Sequence, residues 1–180
     1  MISPIDILMD PISLAVIGMY VLLYVWETLF PRNKHLPKIK YATLRGITGF
    51  AIFFFLSSYL PMLTDEYLAS FQLFDLSAWP LLGQIGIGLF FYQFAIYAWH
   101  RAMHSSDVLW RVFHQMHHSA EKLDIPSAFY FSPMDMIAFT LLGSLVFALI
   151  MGVEAQAATV IILALNFLTI FLAQSQFIIF

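Results

Sequence analysis

The sequence predicts an all-α fold: a multi-pass bundle of four to five transmembrane helices with a cytosolic, histidine-rich helical cap. Composition predicts the bundle, because 61% of the 180 residues are hydrophobic and only 11% are charged, whereas about a quarter of the residues in a soluble protein carry charge. A second observation predicts the cap, because five of the six histidines lie in one short stretch between two apolar segments. We therefore expect an integral membrane protein.

Five apolar segments approach or reach the roughly 18 to 20 residues that cross a bilayer core about 30 Å thick. They are 11–26, 46–63, 79–99, 136–153 and 155–180. Asp10 shortens the first segment, while Pro61, Pro80 and Pro133 lie near span ends, where a missing backbone donor is tolerated. The short GVEAQ link between the last two segments predicts a helical hairpin.

The basic residues predict the orientation of the spans, because Lys and Arg in short loops favour the cytoplasmic side. All eight fall either in the loop 31–45 or between the third and fourth spans. With both loops in the cytoplasm, the acidic segments around Asp10, Asp75 and Glu154 face the opposite side. The histidine-rich segment is then cytoplasmic, in a bacterial inner membrane or the endoplasmic reticulum.

Several classes of site are excluded by composition and motif. The chain has no cysteine, which removes disulfides and thiolate-based metal sites, so any metal must be held by nitrogen or oxygen. A net charge of −3 implies no nucleic-acid partner. The HRAMH segment lacks the glutamate of HExxH peptidases, and the chain has neither a phosphate-binding loop nor a GxSxG elbow.

The segment AIYAWHRAMHSSDVLWRVFHQMHHSAEK, 95–122, carries the histidine cluster. His100 and His104 are four residues apart, so on a helix their rings lie on one face, one turn from each other. His114, His117 and His118 have spacings of three and four from the first of them, which again places the outer pair on one face. These five residues are the candidate metal ligands and catalytic residues.

A break between the two histidine groups predicts how they meet. Ser105, Ser106 and Asp107 interrupt the helical pattern and offer N-cap oxygens for a second helix. The bend would bring the two histidine pairs face to face. The second helix is predicted to be amphipathic and to lie on the membrane surface, with an apolar stripe. Its members are Leu109, Val112, Phe113 and Met116.

Other interpretations of these residues remain open. A structural zinc site or a hydrogen-bond network is the alternative for the cluster. Outside it, His35 is interpreted as a solvated side chain of the basic loop, Trp99 and Trp110 as markers of the membrane interface, and Gln93 as a partner of a neighbouring helix. A transporter is less attractive, because no span centre carries a charge that would mark an ion path.

The segments WHRAMH and LWRVFHQMHHS resemble the first two histidine boxes, HxxxH and HxxHH, of the membrane fatty acid hydroxylase and sterol desaturase superfamily. The resemblance covers about residues 75–180 and divides the chain into an N-terminal transmembrane region, 1–78, and a histidine-box region, 79–180. It implies a non-haem di-iron centre on the cytosolic side, which uses O2 and an external electron donor. The ligand roles it implies fall on His100, His104, His114, His117 and His118.

The chain also departs from the family pattern. Gln93 stands where members often have an acidic residue, and Tyr130 and Ser132 stand where they often have Arg and His. The third histidine box is missing, since the sequence stops at Phe180 in a mid-membrane pattern. Three explanations remain: a truncated piece of a longer enzyme, which we favour and which would be inactive alone; a degenerate relative; or a site completed by another chain.

The expected function is an iron-dependent, O2-using membrane hydroxylase or desaturase that acts on a lipid or sterol C–H bond. The alternative is a non-catalytic membrane protein with a structural zinc or a degenerate histidine cluster. The expected partners are the lipid membrane, a lipid or sterol substrate and the electron donor. Substrate identity, the choice between hydroxylation and desaturation, and oligomeric state are left open by the sequence.

Overall fold

The computed structural model describes residues 2–31, 39–120, 122 and 124–175, with side chains up to residue 171. This part of the chain contains helices and connecting segments but no strand, which confirms the all-α prediction. In chain order, the helices are α1 (Pro4–Met9), α2 (Pro11–Leu29), α3 (Ala42–Ala69), α4 (Leu81–Ser105), α5 (107–118), α6 (Pro133–Met151) and α7 (Ala155–Ser175). A single 3-10 turn, Pro126–Phe129, lies between α5 and α6.

Side-chain caps begin the first two helices. Ser3 and Asp6 form a reciprocal capping box at α1, each side chain accepting the other's backbone N–H at 3.2 Å. Asp10 then caps α2, and Pro11 occupies the first helical position. These residues satisfy N–H groups that a helix start leaves without intrahelical partners, so α2 begins at the residue after Asp10.

Four of the helices are long and apolar enough to cross a membrane: α2, α3, α4 and α6. The multi-pass prediction is confirmed to that extent. The fifth predicted span coincides with α7, of which the apolar stretch Ala155–Phe171 is too short to qualify by the same measure. The basic residues Arg32, Lys34 and Lys38, together with His35 and the terminal segment 176–180, lie outside the described residues. The cytosolic orientation remains a prediction.

Helix α3 is longer than the second predicted span, 46–63, at both ends. It continues through Pro61, which was expected near a span end, and stops only at Ala69. A proline removes one backbone donor and disturbs one turn, and here the helix persists on both sides of it. Its 28 residues correspond to about 42 Å, more than the bilayer core requires.

The chain forms two compact units. The first comprises 1–50, 120–130 and 163–180, and its described core is aromatic. Tyr20 stacks on Phe50 with ring centroids 4.0 Å apart, and Phe129 meets both rings edge-on. Gly46 lies so close to the backbone of Pro126 that a Cβ would overlap it. A glycine is therefore required for this approach of α3 to the 3-10 turn.

The second unit comprises 51–119 and 131–162 and contains all five histidines of the cluster. At the start of α4, the Gln84 side chain is 1% exposed. Its amide nitrogen donates to the carbonyls of Ser77 and Trp79, at 3.2 and 2.9 Å, and its oxygen accepts the N–H of Glu154 at 2.9 Å. Gln84 thereby ties together the segments that precede α4 and α7, whereas Gln93, farther along α4, is exposed.

The carboxyl end of α6 is completed by the loop that follows α3. Its last turns, Leu145–Met151, are π-helical, and a helix end leaves several carbonyls without intrahelical donors. The N–H groups of Leu73, Phe74 and Leu76 donate to the carbonyls of Leu149, Ile150 and Met151 at 2.8 to 3.1 Å. Gly152 then ends the helix with φ +55°, a conformation that favours glycine, and three residues connect α6 to α7.

Candidate metal centre

The first histidine pair lies at the carboxyl end of α4. His100 and His104 are one helical turn apart, and their Nε2 atoms approach to 2.9 Å. Their rings are nearly parallel, at an interplanar angle of 20°. The shared face that the spacing of four predicts is therefore present.

A sharp break separates this pair from the next helix. Ser106 leaves the helical conformation, with φ −133° and ψ 121°, and its Oγ accepts the N–H of Leu109 at 3.4 Å. Ser106 is thus the cap that the sequence predicted. It allows the chain to turn back, and α5 then carries His114 and His118 with their Nε2 atoms 3.0 Å apart.

The bend brings the two pairs together, as predicted. The metal-binding nitrogens of His100, His104, His114 and His118 all lie within 4.8 Å of one another. Histidine binds zinc at about 2.0 to 2.1 Å, so two ligands of one ion can be at most about 4.2 Å apart. Each close pair meets this limit as it stands, and the four side chains would have to move closer together for all of them to bind one ion. The donor set therefore fits a metal.

Helix α5 is not a regular α-helix, because Trp110–His114 forms a π-helical turn between Asp107–Leu109 and Gln115–His118. Val112, a member of the predicted apolar stripe, is 44% exposed, and the placement of this helix on the membrane surface stays a prediction. Single π turns inside α-helices often occur at functional sites, and this one ends at His114, the most buried residue of the cluster.

His117 is not among the four histidines whose metal-binding nitrogens lie within 4.8 Å of one another. Its ring stacks on Phe131, with centroids 4.4 Å apart and an interplanar angle of 15°. It is 5.5 Å from the rings of His114 and His118, by centroid distance. Neighbouring residues on a helix point about 100° apart, so His117 and His118 face different directions. A ligand role for His117 remains a prediction.

Asp135 belongs to the site although the sequence analysis did not select it. It lies in the first turn of α6 and is fully buried, and its Oδ2 is 3.3 Å from Nδ1 of His114. Histidines that bind metals usually donate their other ring N–H to a carboxylate or a carbonyl. A charged residue at the start of an otherwise apolar span was the signal that could have identified it.

Trp110 also contacts the cluster, rather than acting only as the interface marker that the sequence suggested. Its ring centroid is 5.1 Å from those of both His104 and His118. The two histidines are the most exposed of the group, so the indole covers part of their open side. An ion bound by these histidines would have an aromatic ring beside it.

The electrostatic environment keeps the outer histidine of α5 neutral. His118 lies outside the candidate membrane spans. Partial burial, followed by the neighbouring rings of His114 and then His104, lowers its pKa from the ordinary 6.5. The side chain is still partly open to solvent. A neutral imidazole is the form that binds a metal, so the His118 side chain is in the form that can bind a metal ion at neutral pH.

The family comparison matches the region that carries this site. The family model described as fatty acid hydroxylase matches residues 85–178, just over half of the chain. The chain belongs to the fatty acid hydroxylase family. This membership agrees with the resemblance of the two histidine boxes and suggests an oxidoreductase. Comparisons with curated proteins and with solved structures give no match.

Proposed function

We propose that this fatty acid hydroxylase family member is an iron-dependent, O2-using membrane oxidoreductase that hydroxylates or desaturates a lipid or sterol C–H bond. The observation that carries the proposal is the convergence of His100, His104, His114 and His118 inside the matched region. The described part of the chain has four helices long and apolar enough to cross a membrane, which is consistent with a substrate that comes from a membrane.

The proposed ligands are these four histidines together with His117. A set of imidazoles without thiolates suits iron as well as zinc, copper and nickel, and iron is the member of this group that fits an O2-dependent family. A bound iron would activate O2, the oxidant for an unactivated C–H bond, with electrons from the external donor, and the protein's contribution is binding and orientation. The electron donor is an external partner, and the histidine-box region corresponds to 79–180.

The chain's own residues contribute in three ways. Ser106 bends the backbone so that both histidine pairs face one point. Partial burial keeps His118 in its neutral, coordinating form. Trp110 covers part of the exposed side of the cluster and so limits the access of water, which an oxidising site must control. The cluster lies on the cytoplasmic side in this proposal.

The experiment is anaerobic loading of the purified protein with Fe(II) in lipid nanodiscs, followed by the admission of O2 with a chemical reductant present. We expect O2 consumption and rapid oxidation of bound Fe(II). Mass spectrometry of the nanodisc lipids then distinguishes hydroxylation, which adds an oxygen atom, from desaturation, which removes a pair of hydrogens. His104→Ala should abolish both signals, and His35→Ala, which changes the histidine outside the cluster, should preserve them.

Three results would overturn the proposal. Bound Fe(II) that does not react with O2 would exclude the oxidase chemistry. A cluster that retains zinc but not iron, even when only iron is supplied during expression, would instead support the structural-metal alternative. Equal Fe(II) oxidation in the wild type and in His104→Ala would assign the reaction to iron that is not held by the cluster.

A further inference from the structure

The first turn of α6 is joined to the histidine-bearing helix α5 at two adjacent points. At one, Oδ2 of Asp135 lies 3.3 Å from Nδ1 of His114. At the other, Oγ of Ser132 donates to the backbone carbonyl of Phe113 at 2.9 Å. These contacts connect residues 19 and 21 positions apart in the chain. The orientation of His114 is therefore coupled to the position of this turn.

Burial of Asp135 in the first turn of α6 is unfavourable for folding unless the carboxylate has a partner. Its side chain is fully buried and that of His114 is 1% exposed, and a buried carboxylate is unfavourable unless it is paired. Within the described residues, Oδ1 of Asp135 has no hydrogen-bond partner, so Oδ2 makes the hydrogen bond of this carboxylate, to His114. That interaction is directed at one ring nitrogen of a cluster histidine.

Ser132 caps the backbone of the turn that carries Asp135. It is the N-cap of α6, and its Oγ accepts the N–H of Asp135 at 3.1 Å while donating to Phe113. The N-terminal turn of a helix also favours a negative side chain through the helix dipole. Backbone and side chain of Asp135 are thus both held where the carboxylate meets His114.

We propose that Asp135 is a positioning residue that holds His114 in the tautomer with the proton on Nδ1. A carboxylate oxygen can only accept, so Nδ1 donates to it. The Nε2 lone pair is then directed at Nε2 of His118, 3.0 Å away, and at the rest of the cluster. The effect on metal binding rests on the proposed function, but the tautomer does not, because it is a property of the metal-free protein.

The direct test is NMR of the metal-free protein in detergent with 15N-labelled histidine. The His114 signals are assigned by their loss in His114→Gln. We expect the Nδ1–H tautomer in the wild type and a mixture, or the Nε2–H form, in Asp135→Ala. Asp135→Asn keeps the shape of the side chain but presents an amide NH2 that can donate to Nδ1, so it should also shift His114 toward the Nε2–H form. It also provides the readout if Asp135→Ala does not fold.

Ser132→Ala is the matched control, because it removes the cap and the contact with Phe113 but leaves the carboxylate. It should lower thermal stability while His114 stays in the Nδ1–H form. If Asp135 has only a structural role, Asp135→Ala and Ser132→Ala should both be less stable, and His114 should keep the Nδ1–H form in both. That result would overturn the proposal.

Metal affinity separates this inference from the proposed function. Loss of a partner behind a metal-binding histidine typically weakens affinity by about 10- to 100-fold, which we expect for Asp135→Ala. If the wild type binds metal and Asp135→Ala has the same affinity and tautomer, the inference fails and the proposed function stands. If the wild type binds no metal but its tautomer depends on Asp135, the proposed function fails and the positioning role stands.

Discussion

His114 is the residue on which the candidate site is centred. Its ring lies 4.5 to 5.0 Å from those of His100, His104 and His118 by centroid distance. It is also the buried member of the group, while the outer histidines are open to solvent. An ion bound by these residues would meet a buried histidine on one side and exposed histidines on the other.

Metal affinity should depend on pH through the outer ligands. The pKa of His118 is lowered by partial burial and by its histidine neighbours, so the ring is neutral at pH 7. Protonation removes the lone pair, and it should therefore weaken binding only as the pH falls below the ordinary value of about 6.5. Titration of metal affinity between pH 8 and pH 5 should show a plateau followed by a decline. An affinity that increases on acidification would contradict neutral histidine ligands.

Trp110 should report on occupancy of the cluster. Its ring is 5.1 Å from the rings of His104 and His118, so a paramagnetic ion such as Co(II) bound there should quench its fluorescence. Trp110→Phe should reduce the metal-dependent quenching, and the quenching that remains should come from Trp99, the residue before His100. Trp79 precedes α4, about 30 Å along that helix from His100, so Trp79→Phe should preserve it. Loss of quenching in Trp79→Phe alone would place the ion elsewhere.

At the scale of residues, the histidine pairs could be predicted because each pair is defined by its spacing within a short segment of the sequence. A spacing of four fixes a shared helical face, and Ser106 is recognisable as a cap from its position between two apolar patterns. Asp135 and Trp110 could not be assigned in this way. Their roles depend on where α6 begins relative to α5 and on a π turn, and neither is determined by the spacing of residues along the chain.

At the scale of elements, Gln84 connects the segments at the start of α4 and before α7. Replacing it by leucine leaves the carbonyls of Ser77 and Trp79 and the N–H of Glu154 without this partner. We expect Gln84→Leu to lose about 1 to 3 kcal/mol of stability, measured by unfolding in detergent. Gln93→Leu changes an exposed amide on the same helix and should stay within about 0.5 kcal/mol. Equal effects of the two substitutions would contradict the bridging role.

The apolar segments predicted the helices well because the length of an apolar run can be read directly from the sequence. The boundaries were less accurate, as α3 shows by continuing through Pro61 to Ala69. Proline weakens a helix without always ending it, and the residues after it remain compatible with helix. The end of the fifth predicted span, 176–180, lies outside the described residues and stays a prediction.

At the scale of the whole molecule, the orientation in the membrane can be tested directly because the chain has no cysteine. Ser70 and Ser119 are exposed and lie on opposite sides of α4 in the sequence. With a cytoplasmic histidine cluster, Ser119→Cys should react with an impermeant thiol reagent only from the cytoplasmic face, and Ser70→Cys only from the other. Labelling of both from the same face would contradict α4 as a membrane span.

The central claim is that the histidine cluster holds a metal ion, and metal content per chain tests it most directly. The protein would be purified in detergent after expression with iron supplied and measured by elemental analysis beside His104→Ala/His118→Ala and His35→Ala. We predict roughly one iron or more per chain in the wild type and in His35→Ala, and almost none in the double variant, since neutral histidines are the required ligands. Wild-type iron no higher than that of the double variant would contradict the account.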